Sequence, residues 1–279
     1  MELIYSNEMG TVKLFGKGSD GFSVCEIKGL DLLEKTRSIR NYIGEDGCEE
    51  ENSHYPQRVI SVSGDLLCQG DFASRLSNAM RIFSRKGILI VDSGLKKRQI
   101  TVNSSVMTLG ERYGNYITFV VQFTCDYPHF NDTQSIVTHI FKKENNLCST
   151  SIFPIVLSYR VAKGTLNNTG DLKSYPSFII RKTGEFSSSN TITVSNLTTG
   201  NSLKLEKELK IGEELTVDVK NRTITSNIDG NVIGTLNVYS SLADMWCDCG
   251  ENIISVALDG EQRGIEVNMI YDNEYLEAV

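Results

Sequence analysis

The chain has 279 residues, 40% of them hydrophobic, and a formal net charge of −7 from 28 Lys and Arg against 35 Asp and Glu. That length favours two domains of ordinary size over a single core, and an acidic balance without a long basic block excludes binding driven by phosphate neutralisation, so no sequence-specific nucleic-acid contact is expected. No run approaches the ~18 apolar residues of a membrane-spanning helix, and the opening MELIYSNEMGTVKLFG lacks the basic start and apolar core of a signal peptide, so no membrane insertion is expected.

The first expected domain covers residues 1–145. TVKLF and then FSVCEI (Phe22–Ile27) read as strands, and between them Gly16, Gly18 and Gly21 spell G-x-G-x-x-G. A dinucleotide site needs a helix N-terminus aimed at the pyrophosphate; a strand follows here instead, so the glycines are expected to make a hairpin turn. Residues 45–57 (EDGCEEENSHYPQ) are the most polar insertion. The carboxylates Glu45, Asp46, Glu49, Glu50 and Glu51 suit Ca²⁺ or Mg²⁺ chemically, but their spacing lacks an EF-hand pattern and the run reads as a solvated loop.

Arg58–Leu67 (RVISVSGDLL) opens with Val59, Ile60 and Val62 and predicts a largely buried strand. A helix follows: Phe72, Leu76, Ala79, Met80 and Phe83 recur at spacings of three and four, Asp71 is placed to cap it, and Gly87 to end it. Arg81, Arg85 and Lys86 sit where the helix dipole favours positive charge and need no ligand to explain them. Strands are then expected over Ile88–Asp92, Arg98–Met107 and Asn115–Cys125, the last with apolar residues on both faces as in a central strand.

Asn, Ser and Thr crowd Glu144–Ser151 and mark the boundary of a second domain, residues 146–279, which resumes with strand-like text over Phe153–Val161. From Pro176 onward, short strands alternate with the turn signals KTGE, LTTGN, KIGEE, VKNRT, NIDGN and LDGEQRG, the pattern of a β-sandwich. Asp229-Gly230, between Ile228 and Val232, fits a tight hairpin. The fold class expected is mainly β: two sandwich-like domains, the first with one short helix.

Chemistry has no visible seat. Seven cysteines, at 25, 48, 68, 125, 148, 247 and 249, are an odd number and read as free thiols made in a reducing cytoplasm. Cys247 and Cys249 are too close for a C-x₂-C zinc knuckle and lack a second pair or a nearby His. His54, His129 and His139 have no nucleophile or metal setting, although Asp132 follows His129 closely, and no two carboxylates stand out as a glycosidase pair. Catalytic, cofactor-binding and metal residues are all expected to be absent. The triplets at Asn167 and Asn196 read as chance matches to the glycosylation pattern. Trp246, the single tryptophan, could present a sugar-stacking platform. Val238, Leu242 and Met245 fall at roughly helical spacing from it and favour a core plug.

The order of these segments resembles the distal tail proteins of long, non-contractile-tailed bacteriophages. The resemblance rests on RVISVSGDLL before a short helix, a late strand closing in Phe123, Cys125, Asp126, Tyr127 and Pro128, and the turn-Pro-strand text NNTGDLKSYPSFIIRKTG (Asn167–Gly184). It continues in the hairpin GEELTVDVKNRTI (Gly212–Ile224) and in SSLADMWCDCGENIISVALDG (Ser240–Gly260) with its G-x-N-x-I strand. It implies a structural virion protein at the distal end of the tail, made in the bacterial host cytoplasm, whose first domains form a homohexameric ring and whose second domain is galectin-like. The implied partners are the tail tube protein above and the tail-tip or tail-associated lysin protein below. In such a ring the acidic 45–57 loop would be placed to reach a neighbour, while individual interface residues cannot be named. Two other readings compete: a carbohydrate-binding protein that attaches to host polysaccharide through the second sandwich, and a wall hydrolase, which would need a carboxylate pair or metal site.

Overall fold

The structure is a computed structural model and describes residues 1–44, 46–68, 70–145, 158–184, 191–259 and 264–278. It divides into two compact units, one of Met1–Thr133 with Tyr275–Val279 and one of Gln134–Glu274.

The first unit contains β1 (Glu2–Asn7), β2 (Gly10–Phe15), β3 (Phe22–Lys28), β4 (Thr36–Asn41), β5 (Cys48–His54), β6 (Arg58–Leu67), α1 (Phe72–Phe83), β7 (Gly87–Asp92), β8 (Lys97–Val102), β9 (Ser104–Tyr113), β10 (Tyr116–Cys125) and β11 (Phe130–Asp132). Strands β2, β1, β7, β8 and β11 lie in that order in one sheet, and β3, β6, β10 and β9 form a second. The inward faces of both sheets share one core, with Leu3, Tyr5, Leu89 and Val91 from the first and Ile60, Val62, Phe119 and Phe123 from the second. Tyr5 stacks on Phe123 with ring centroids 5.2 Å apart, a contact that joins the layers.

Alternation along β6 buries Ile60, Val62, Gly64 and Leu66 while Val59 is 43% exposed, so one face is buried rather than the whole strand. β10 behaves likewise: Phe119, Val121, Phe123 and Cys125 point inward and Val120 outward. It is central in its sheet, as expected, but its outer face stays open. Gly64 is required by close approach, because a Cβ there would sit 2.1 Å from the Ser23 carbonyl oxygen, at the bulge where β3 slips register.

Helix α1 forms where its periodicity predicts, with Ala79 and Phe83 buried and Phe72 and Leu76 packed against the core. Met80 is 40% exposed and Ile82 takes the buried place, because the β1–β2 hairpin closes on that flank. Asn7 Nδ2 donates to the Ile82 carbonyl at 2.7 Å there. Asp71 makes no side-chain cap bond, and Ser84 rather than Gly87 follows the last helical residue. Gly87 opens β7 instead, where a Cβ would meet the Ser6 carbonyl at 2.6 Å.

The segment expected as one strand over Arg98–Met107 is two strands in different sheets, β8 and β9. Asn103 breaks it: its amide donates to the Thr124 carbonyl and its side-chain oxygen accepts from the Asp126 amide at 3.1 Å, so the chain crosses from one layer to the other.

The buried Arg58, 1% exposed, ties distant segments of this unit together. Its Nε donates to Pro128 O at 2.6 Å, Nη1 to Gly29 O and Asp31 O, and Nη2 to Leu276 O, each of the last three at 2.7 Å. The guanidinium also lies 4.8 Å from the Phe130 ring centroid. The C-terminal residues thereby complete the first unit, where Ala278 is fully buried.

The second unit contains β12 (Ile136–Asn145), β13 (Ser158–Val161), β14 (Lys163–Asn168), β15 (Ser177–Lys182), β16 (Thr191–Asn196), β17 (Ser202–Glu206), β18 (Glu214–Asp218), β19 (Thr223–Ser226), β20 (Gly230–Asn231), β21 (Gly250–Leu258) and β22 (Ile265–Tyr271); β23 (Glu274–Tyr275) follows at the division between the units and lies beside β11. A seven-stranded sheet, β13-β12-β22-β15-β18-β19-β20, shares its core with a four-stranded one, β14-β21-β16-β17. β12, which ends at the residue 145 expected to close the first domain, pairs with β22 from Ile136↔Tyr271 onward and so counts with the second unit. Much of the expected Asn- and Ser-rich boundary (146–151), Cys148, the start of the Phe153–Val161 segment, Glu185 of KTGE and most of LDGEQRG lie outside the described residues.

Turn signals here do their work through side chains as well as glycines. Asn168 accepts from the Gly170 amide and donates to Leu172 O at 2.8 Å, forming the N-x-G turn. Asn252 of the G-x-N-x-I strand is fully buried and donates to Asp248 O at 2.7 Å, which holds the loop before β21. The β19–β20 connection is a three-residue loop with Gly230 already in the returning strand, not a tight turn centred on Asp229-Gly230. Ser226 Oγ draws the loop in by accepting from the Ile228 and Asp229 amides.

Candidate functional site

The polar insertion expected as a loop is part of a β-hairpin arm. β4 and β5 pair from Thr36↔His54 to Asn41↔Cys48 and join no other strand among the described residues. All their residues but Ser53 are exposed. Cross-strand charge holds the arm: Arg40 meets Glu51 at 2.5 Å and Arg37 lies 3.9 Å from Glu50. At its tip Tyr42 donates its amide to Gly47 O at 3.3 Å, and Ile43 is fully exposed. Glu45 lies outside the described residues, and no group of three His, Cys, Asp or Glu able to hold a metal occurs among those described.

An open groove of about 960 Å³ runs over the other layer of the same unit. Its floor is the outer face of β7, with Ile88 38% exposed and Ile90 beside it, and its walls include Glu8, Arg85, Lys86 and Ser104. Tyr5 Oη donates to Arg85 O at 2.5 Å and Ser105 Oγ donates to Phe83 O, so the basic wall after α1 is fixed from beneath. Neither Arg85 nor Lys86 forms an ion pair among the described residues. Both line the groove together with the carboxylate of Glu8.

The other residues singled out in the sequence are not brought together. Gly16, Gly18 and Gly21 have φ of 115°, 77° and 87°, and their loop precedes β3, not a helix. It links strands of two different sheets, however, so it is a crossover and not a hairpin. Cys247 is buried, which pushes its thiol up to about 12, whereas Cys249 is exposed. Cys125 is likewise raised to about 12, by burial. His54 is exposed on the arm; His129 meets Tyr55 and Tyr127 edge-on at 5.2 Å each; His139 Nδ1 lies 2.5 Å from Asn268 Oδ1 across β12 and β22. Asn196 is fully buried and donates to Trp246 O at 3.1 Å, which removes it as a glycan acceptor.

Trp246 is half-buried, with Lys173 Nζ 3.3 Å from its ring centroid. Leu242 and Met245 beside it are buried as expected, but Val238 is 87% exposed, because the chain turns at Asn237 instead of continuing as a helix. The ammonium occupies an indole face that a sugar would need.

Residues 169–275 match the family model of the siphovirus-type tail component, C-terminal domain. In fold the chain is similar to the Dit protein (gp 19.1) of phage SPP1, described as a paradigm of the hub adsorption apparatus in phages infecting Gram-positive hosts: TM-score 0.70, 14% identity, 98% of each chain covered. A chain of the phage P2 baseplate in its activated conformation with Ca has TM-score 0.50 and 10% identity, over 98% of this chain and 97% of that one. No curated protein sequence matches the chain significantly. The second unit thus carries a match to the siphovirus-type tail component domain over residues 169–275, and the chain as a whole shares the fold of the SPP1 Dit protein.

Proposed function

We propose that the protein is the structural hub at the distal end of the tail tube, assembled as a homohexameric ring that joins the tube protein to the tail-tip or tail-associated lysin protein. The observation that carries this reading is the likeness of fold to the SPP1 hub protein over 98% of both chains. The first unit forms the ring and the second, galectin-like sandwich decorates it. Ring closure satisfies exposed sheet edges and leaves no open end to polymerise. The work of the protein is positional and not enzymatic, its place is the virion, and its synthesis is in the host cytoplasm. The sugar-binding alternative loses support where Lys173 covers Trp246.

The test is the solution mass of the purified chain over a concentration series, with electron-microscope class averages alone and with tube protein added. Six-fold rings with a central hole are the expected result. A species that stays monomeric under both conditions would overturn the ring.

A further inference from the structure

We infer that the second unit holds one ring of a neutral sugar in a cavity at the end of its seven-stranded sheet, a binding function that goes beyond the hub role and does not use Trp246.

The cavity measures about 180 Å³ and is lined by residues of the second unit alone. That size suits a single six-membered sugar ring rather than a drug-sized ligand, which needs ~300 Å³ or more. Three adjacent strands supply its floor: Asp218 of β18, Ser177 of β15 and Ile270 of β22 stand opposite one another in register. Their sequence neighbours Val217, Phe178 and Met269 point into the core, so this row lies on the outer face of the sheet.

Two polar pairs fix the wall. Asp218 accepts from the Asn221 amide at 2.9 Å and from Asn221 Nδ2 at 2.8 Å, and Lys220 Nζ donates to Glu274 Oε1 at 2.7 Å, where Glu274 is 4% exposed. These bonds are made before any ligand arrives, which lowers the ordering cost of binding. Three groups in the same cavity are left over: among the described residues, the Tyr175 and Ser177 hydroxyls and the Asp272 carboxylate have no hydrogen-bond or ionic partner.

Those three groups define the ligand. The Asp272 carboxylate only accepts, whereas the two hydroxyls both donate and accept. Sugar hydroxyls answer both needs, and the apolar C–H face of a sugar ring suits Ile270 and the Tyr175 ring, which is 36% exposed. Charge excludes the polyanionic alternative. Asp218, Asp272 and Glu274 stand against Lys220 alone, a local charge of −2 that repels phosphate- and uronate-bearing glycopolymers. The next row on the same face, Thr216, Ile179, Asn268 and His139, repeats the pattern of polar groups about an apolar centre and gives a polysaccharide a path beyond the cavity.

Saturation-transfer NMR on the full chain tests the site with methyl glycosides of glucose, galactose, rhamnose and N-acetylglucosamine, and with poly(glycerol phosphate) as the anionic probe. At least one neutral glycoside should receive saturation. Tyr175→Ala and Asp272→Asn should each weaken its binding at least tenfold, while Trp246→Phe leaves it unchanged. Ser177→Ala, a change too small to unfold the sheet, should weaken it at least threefold and keeps the site testable if another variant fails to fold. No saturation of any neutral glycoside, binding unaltered by the cavity variants, binding lost in Trp246→Phe, or tighter binding of the phosphate polymer would overturn the site.

Discussion

Arg58 in the first unit and Glu213 in the second are both buried charges, 1% and 0% exposed, but they are held in opposite ways. Arg58 binds four backbone carbonyls 27 to 218 residues away in sequence and gathers the arm root, the β10–β11 corner and the C-terminal segment. Glu213 is held by neighbours: it accepts from the Lys210 amide at 2.8 Å and from Ser226 Oγ at 2.5 Å, and lies 3.1 Å from Lys207 Nζ. Lys207 reaches on to Asp229 at 2.6 Å, and Lys210 to the same carboxylate at 2.7 Å. The first charge organises distant chain; the second fastens adjacent turns. One long-range clasp can therefore govern a whole unit, whereas a local cluster governs the corner in which it sits.

The largest effect follows from removing the clasp. Arg58→Leu leaves four carbonyls without their donor and should cost roughly 4 kcal/mol, with hydrogen-exchange protection lost across β1, β6 and β7 and retained in β15 and β22. Equal loss in both units would break the contrast. Glu213→Gln should cost about 2 kcal/mol, with the loss of protection confined to β18, β19 and the turns around them. A unit-wide effect would show that the cluster is not local.

Acid should separate the two charges further. Burial raises the Glu213 carboxyl, yet the bonds from Lys210, Ser226 and Lys207 outweigh it and hold the group below the usual range. Lys207 and Lys210 hold Asp229 down to about 2 from an ordinary 3.8. Carboxyls depressed in the folded state contribute stability that is present above their ordinary values and lost as pH falls through the folded ones. Between pH 4.5 and 2 the corner around Asp229 should therefore open, while the Arg58 clasp, which does not titrate there, persists. Residue-resolved exchange at stepped pH reads this directly, and early loss of protection at Ile60 would reverse the order. The smallest effect belongs to the exposed Arg181–Glu214 pair, where Arg181→Ala should change stability by no more than about 0.5 kcal/mol in a denaturant titration.

The same difference in range explains what could be read in the sequence. β6, α1 and β10 follow from local periodicity, and the second unit's corners follow from Asn and Gly placed at turns. Nothing local announces Arg58, since its acceptors are backbone carbonyls that any residue would supply. Asn103 was equally silent: alternation runs through Arg98–Met107, and only the bond from the Asp126 amide shows where the chain changes sheets. The arm was partly legible. Its acidic run suggested a loop because apolar alternation is missing, but Arg37 and Arg40 set against Glu49–Glu51 across a glycine-containing tip are the signature of a charge-paired hairpin. The groove was not legible, because Arg85 and Lys86 are well explained as the basic end of a helix and their exposure on a sheet face is a tertiary fact.

The C-terminal return has a consequence for biosynthesis. Because Tyr275–Val279 belong to the first unit and Leu276 supplies one of the Arg58 acceptors, the first unit cannot close its core while the second is still being translated. Residues 275–279 must have left the ribosome before the N-terminal sandwich is finished. Chains stalled or cleaved anywhere in the second unit would lack the clasp, and the ordering of the arm root beside Gly29 and Asp31 would be withheld from them. Closure of the first core thus waits on synthesis of the whole second unit, although the first unit begins the chain.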